Sequence, residues 1–208
     1  MLQPVTLQNQ FVYLEPLSHA HIPALLLIAQ TNPRDVYALT TVPDTLAGMT
    51  AYVDAALEMV GQGRAAPFAT IDASSGEVVG SSRLANLEFW AWPAGHPLAN
   101  TDGTPDAAEI GWTWLAPAAQ RTKINTAAKI LMLTHAFETW QVKRVTLKTD
   151  ARNLRSRNAI LRIGASFEGV LRSHVPASDG GVRDSAMYSI LLTEWLGVKA
   201  RLEGMLGG

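Results

Sequence analysis

A single α+β domain, one mixed sheet with helices on both faces, is predicted by three observations. Segments of period two and of period 3.6 interleave in the order strand, helix, helix, three strands, helix, strand, helix, two strands. The 208 residues are 48% apolar, enough for one full core and too many for a disordered chain. No internal repeat or low-complexity tract is present, which argues against solenoids and propellers. The domain is expected to span residues 9–204.

Each element has its own signal. Phe11 to Leu17 alternates as a strand, and Ser18 is placed to cap a helix running to about Gln30, with Pro23 early enough to be tolerated. Thr50 to about Gly61 carries an apolar stripe of Tyr52, Val53, Ala56, Leu57 and Val60. Ala66–Ala73 and Glu77–Glu88 read as a hairpin turning at Ser74-Ser75-Gly76. The Pro-, Gly- and Asn-rich stretch from Phe89 to Asp106, holding Trp90 and Trp92, reads as a long connection. Ala108 to Leu115 is a strand, and Pro117 ends it. From Thr122 to Trp140 apolar residues fall nearly all round a helix, which must therefore be buried between layers. Lys143 to Asp150 alternates again, and Asn153 caps a short helix that Gly164 closes. Ser166–Val175 and Val182–Leu192 flank a turn at 178–181, and a last helix starts near Glu194.

Composition excludes several chemistries. The chain has no cysteine, so disulfides, thiolate zinc sites and cysteine acyl-enzymes are ruled out. No metal site is expected. No apolar stretch approaches the ~18 residues of a membrane span, and no basic region followed by an apolar run opens the chain. A cytoplasmic protein without membrane contact is the expectation. The net charge of −1 conceals an asymmetry: residues 120–162 hold ten basic side chains against two acidic ones, a local +8 within a remainder of −9. Such a block is either a solvated face or the footprint of a compact polyanion.

The loop from Ala116 to Arg121, between a strand and the buried helix, is the most informative unit. Free N–H groups at a helix start, here about Thr122 to Asn125, and the positive dipole end favour an anion, and Arg121 and Lys123 add charge. The bland alternative is an ordinary strand-to-helix turn. Trp90, Trp92, Trp112 and Trp114 could line an apolar pocket or pack in the core.

The runs EIGWTWLAP, QRTKINTAAK, RVTLKTDARNLRSRNAILRIGA and EGVLRSH, in this order between residues 108 and 174, resemble the GNAT superfamily of acyl-CoA-dependent N-acyltransferases. Within it they resemble the branch that acetylates the N-termini of ribosomal proteins. The resemblance implies a mixed, largely antiparallel seven-stranded sheet, splayed between its fourth and fifth strands. It implies acetyl-CoA as donor and a primary amine as acceptor, reacting by direct attack. A longer acyl-CoA such as succinyl-CoA, or a non-catalytic CoA-binding module, stays open. A nucleic-acid partner is not expected, and a homodimer is left open.

The resemblance also assigns roles. Gln120, Arg121, Thr122, Lys123, Ile124, Asn125 and Thr126 stand in the pyrophosphate loop, although Lys123 and Asn125 occupy positions where the family usually has small residues. Asn153 and Ser156 match the Asn-x-x-Ser beside the pantetheine arm, with Ser156 a candidate proton donor to the leaving thiolate. Many relatives carry a tyrosine for that task at the position of Ile160. The strand from Glu109 to Leu115 is expected to hold a bulge, with backbone near Trp114 and Leu115 pairing the pantetheine and stabilising the oxyanion. Candidate bases for the amine are Glu109, acting through water, and His174.

Overall fold

The structure is a computed structural model that describes residues 3–100 and 102–207. Residues 1, 2, 101 and 208 lie outside the described residues, and with them the first two positions of the N-terminal reading and one position of the 89–106 connection. The elements are β1 (Leu7–Gln8), β2 (Val12–Pro16), α1 (Ile22–Thr31), α2 (Leu46–Gly61), β3 (Ala65–Asp72), β4 (Val78–Glu88) and β5 (Ala107–Leu115). They continue with α3 (Lys123–Thr134), β6 (Arg144–Asp150), α4 (Leu154–Arg162), β7 (Ser166–Pro176), β8 (Val182–Leu191) and α5 (Trp195–Gly207).

One sheet runs β1-β2-β3-β4-β5-β6-β8-β7, antiparallel throughout except for the parallel pair β5–β6. It has eight strands, one more than expected. The addition is the two-residue β1, folded back on β2 by Asn9, whose Oδ1 accepts from the N–H groups of Phe11 and Val12. Two residues are too short a run for alternation to reveal.

α1 and α2 cover one face through a cluster including Leu25, Met49, Val53 and Trp114. α3 and α5 cover the other, where Met132, Leu133, Tyr188, Trp195 and Leu202 belong to the larger core. Three helix boundaries differ from the sequence reading: Ser18 heads a 3-10 turn, His19–His21, and α1 itself starts at Ile22. α2 starts four residues before Thr50, because Thr45 caps it by accepting from the Gly48 N–H at 3.1 Å. The long buried helix starts at its Thr122 cap, but its last turn, His135–Thr139, is π-helical.

β5 carries the expected bulge. Trp114 pairs with Ser81 and Gly111 with Arg83, so Trp112 and Thr113 together face Ser82, and Trp112 takes a φ of +49°. Pairing between β5 and β6 covers Ala107–Ile110 against Arg144–Leu147 and then stops, so the two strands part. Opposite the parting, Gly80 lets β4 run close beneath β5. Its φ is +155°, and a Cβ there would lie 2.1 Å from the Trp114 carbonyl oxygen.

Gly80→Ala is expected to cost roughly 2–3 kcal/mol, combining an unfavourable φ with overpacking. A urea midpoint lowered at unchanged slope checks this; a stability equal to wild type would show that the strands yield.

Candidate active site

The parting of β5 from β6 opens a cavity of about 840 Å³. Its walls come from β5, the first two turns of α3, the end of β6, α4, the connection 36–41 before α2, the end of β7 with Ser178, and Arg183 of β8. Nine of the residues given catalytic or cofactor-binding roles from sequence line it: Glu109, Trp114, Leu115, Gln120, Arg121, Thr122, Asn125, Asn153 and Ser156. Lys123, Ile124, Thr126 and His174 do not. Helix geometry separates the loop residues. Thr122 and Asn125 share the cavity-facing stripe, at spacing i, i+3. Ile124 is buried in the core, and the Thr126 hydroxyl accepts from Arg162 at 3.0 Å. Lys123 donates to the Leu206 carbonyl at 2.9 Å and lies over the Phe11 ring.

At the head of α3 the Thr122 hydroxyl accepts from the Ile124 N–H and donates to the Ala119 carbonyl. Arg121, at φ +63°, is exposed beside it. On α4, Asn153 caps the helix by accepting from the Ser156 N–H at 3.0 Å, and Gly164, at φ +102°, follows its C-cap. Basic side chains dominate the lining, with Arg121, Lys129, Lys148, Arg155, Arg162 and Arg183 against the single acid Glu109. Much of the +8 segment is nevertheless neutralised outside the cavity. Arg144 pairs with Glu168, Lys143 with Asp106, and Arg152 with Asp150 and Asp179. Against the desolvation that would raise it, the Trp90 N–H, the Trp92 indole and then Lys143 hold the Asp106 carboxyl below its ordinary value, while Arg152 does so for Asp150 and Arg144 for Glu168.

The two candidate bases differ in placement. Glu109 is buried at the fork of β5 and β6, where its Oε2 accepts from Lys148 Nζ and Asn86 Nδ2, each at 2.9 Å. His174 lies outside the lining, its Nδ1 3.0 Å from the Ser185 hydroxyl, although the next two residues reach the cavity. The tryptophans divide: Trp112 and Trp114 line the cavity, whereas Trp90 and Trp92 donate to Glu88 and Asp106 on the loop.

Sequence reading missed two features. Residues 36–41 form a strap along the cavity wall. Tyr37 donates to the Leu115 carbonyl at 3.3 Å, Arg155 to the Val36 carbonyl at 2.7 Å, and Ser178 to the Ala38 carbonyl at 2.7 Å. Burial raises the Tyr37 hydroxyl above the ordinary phenol value, against the opposing pull of Arg34 and Arg155, so it stays a donor. Gln120 donates to the same Leu115 carbonyl at 2.9 Å. The second feature is Lys129, one turn beyond Asn125 on the stripe that lines the cavity. Its Nζ is buried 2.7 Å from Thr113 Oγ1 and 3.2 Å from Ser82 Oγ, and burial pushes it down to about 7. A lysine flanked by Ala127, Ala128, Ile130 and Leu131 was the available signal.

Comparison with known proteins agrees with this architecture. The family model described as an acetyltransferase (GNAT) domain matches residues 12–166. A Bacillus subtilis protein, "Putative ribosomal N-acetyltransferase YdaF", is 36% identical over 102 residues; the match spans 49% of this chain and 55% of that protein. A GCN5-related N-acetyltransferase from Brucella melitensis superposes with a TM-score of 0.80 at 26% identity, covering 98% of this chain and 86% of that one. Mycobacterium smegmatis RimJ, solved with CoA-disulfide, shares the fold with a TM-score of 0.78 at 22% identity, covering 97% and 95% of the two chains.

Lys129 makes stability depend on pH with a definite sign. The folded amine loses its proton near 7, whereas an unfolded lysine keeps it to about 10.4. Between these values the unfolded chain binds one proton more, so stability rises with pH across that window; below it the folded state carries a buried ammonium in full. Lys129→Met should therefore stabilise the protein most at about pH 6 and progressively less toward about pH 10. Chemical denaturation of both proteins across this range checks it; parallel curves would show that the amine is not desolvated.

Proposed function

The chain belongs to the GNAT acetyltransferase family, and from that premise we propose that it transfers acetyl from acetyl-CoA to a primary amine by direct attack. The observation that carries this reading is the gap between β5 and β6, opening beside the capped head of a helix. The pyrophosphate is assigned to the first-turn N–H groups of α3 and to Arg121, where the helix dipole and a guanidinium act together. Without small residues in this loop, the anion meets the side chain of Asn125 as well as backbone. The pantetheine arm is assigned to the gap, where β5 beyond Ile110 has no strand partner on its β6 side. Asn153 and Ser156 flank it from α4.

The acyl carbonyl is assigned to the bulged part of β5, where a backbone N–H is a donor that no side-chain substitution removes. The Leu115 carbonyl already accepts from Tyr37 and Gln120, so these two contacts must exchange if the arm is to pair with it. The acceptor amine enters on the side of residues 36–41 and 175–178, whose closure excludes water from the thioester. The likeness to YdaF favours a protein N-terminus as acceptor.

Calorimetric titration tests the reading. Acetyl-CoA should bind in the micromolar range, and binding should weaken for dephospho-CoA and with rising salt. At 100 times its dissociation constant it should add ~2.7 kcal/mol of stability. Asn153→Ala should raise the KM for acetyl-CoA and cost ~1 kcal/mol through the lost cap. Tighter binding and turnover with succinyl-CoA would reassign the donor, and absence of binding to any acyl-CoA would overturn the proposal.

A further inference from the structure

We propose that Lys129 is the proton sink of the transfer, reached through the Thr113 hydroxyl. The inference rests on the acetyl-CoA reading above. An amine acceptor arrives mostly as an ammonium and must lose a proton before it can attack. Glu109 is committed to Lys148 and Asn86, and His174 is outside the cavity. Tyr37 is held as a donor. Lys129 stands on the cavity-facing stripe of α3, two turns from the Thr122 cap and hence about 10 Å along the helix axis. Its Nζ touches Thr113, which belongs to the bulge and itself lines the cavity.

Among the described residues, no ion pair holds the amine charged. From β4, Arg83 points to the opposite face, onto the Tyr52 and Trp112 rings; from β5, Glu109 faces Lys148. From α4, Arg162 is bound to Thr126; from α5, Lys199 pairs with Glu138, and Glu15 of β2 pairs with His21. Ser82 and Thr113 supply hydroxyls only, and with burial bringing Lys129 down to about 7, a substantial fraction of it is neutral and able to accept a proton at neutral pH. Desolvation of an unpaired lysine is a recognised way of making a base.

The protons balance. The acceptor ammonium gives one proton to Thr113 Oγ1 while the Thr113 hydroxyl proton moves to Lys129 Nζ. The freed amine attacks the thioester carbonyl carbon, the C–N bond forms, and the C–S bond breaks with its electron pair on sulfur. The second amine proton neutralises the thiolate, and Lys129 releases its proton to solvent.

The test follows CoA thiol release from acetyl-CoA with short peptides bearing a free N-terminal alanine or serine, across pH 5.5–9.5, a window of roughly the span between a shifted lysine and the amine itself. Calorimetry of acetyl-CoA binding runs beside it. Wild type should show an acidic limb near 7. Lys129→Met should lose ~100-fold or more in kcat at neutral pH. Its limb should move to the amine's own value of about 8, while acetyl-CoA affinity stays unchanged. Lys129→Arg, which cannot give up its proton, should be equally slow. Thr113→Val should behave like Lys129→Met, and Thr113→Ser should restore the rate and the limb, which keeps the test decisive even if the lysine variant folds poorly. An unmoved limb with near-wild-type turnover in Lys129→Met or Thr113→Val overturns the proposal. A stable acetyl group on Lys129 of fully active enzyme also overturns it, since an amide nitrogen accepts no proton. A wild type that binds no acetyl-CoA defeats the transferase reading instead.

Discussion

β5 and β6 share only four residue pairs before they separate, and that early end to their hydrogen bonding shapes everything around it. A parallel pair needs a crossover, here α3, whose head must emerge where β5 ends. Because the bulge at Trp112 and Thr113 turns β5 away at this point, the head of α3 looks into a gap instead of onto a continuous sheet. Backbone left without a strand partner, a helix dipole and a ring of arginines thus converge without any one of them being unusual. The close approach at Gly80 supports the same bend from behind.

The buried lysine sets a tension against this frame. Polar atoms taken out of water without a charged partner are costly, and Lys129 has hydroxyls alone for company. Replacing it by an apolar side chain of similar size would suit the core better, as such replacements often do. Stability does not account for an amine in this place, whereas proton transfer does. Glu109 shows the contrary arrangement: its buried carboxyl is met by Lys148 and Asn86 at the fork of the two strands.

The order of elements, the Asn153 cap, the Gly164 stop and the buried character of α3 were legible because each has a local cause. Period, cap and glycine act within a few residues. The start of α2 was hidden because Gly48 makes its first turn look like a loop, although Thr45 caps it. The charge block was legible as a sum but not as a field. Which of its members face the cavity depends on partners such as Glu168 and Asp179, far away in sequence. Lys129 and the strap at 36–41 escaped for the same reason: burial and long-range hydrogen bonds are tertiary facts. Resemblance named the loop at 120–126, but only the helix turn sorts Asn125 from Ile124.

The strap is fastened to three places remote from it in the chain: strand β5, helix α4 and the hairpin after β7. Its contacts with Arg155 and Ser178 span 119 and 140 residues of sequence. Such a fastening behaves as a shared latch. Loosening any one anchor leaves two others holding, so access to the cavity is gained by a concerted movement and not by fraying of a loop tip. This wall of the cavity is thereby tied to the integrity of the C-terminal half of the sheet. Damage to the distant edge strand would loosen one of these three anchors before it was felt as loss of the fold.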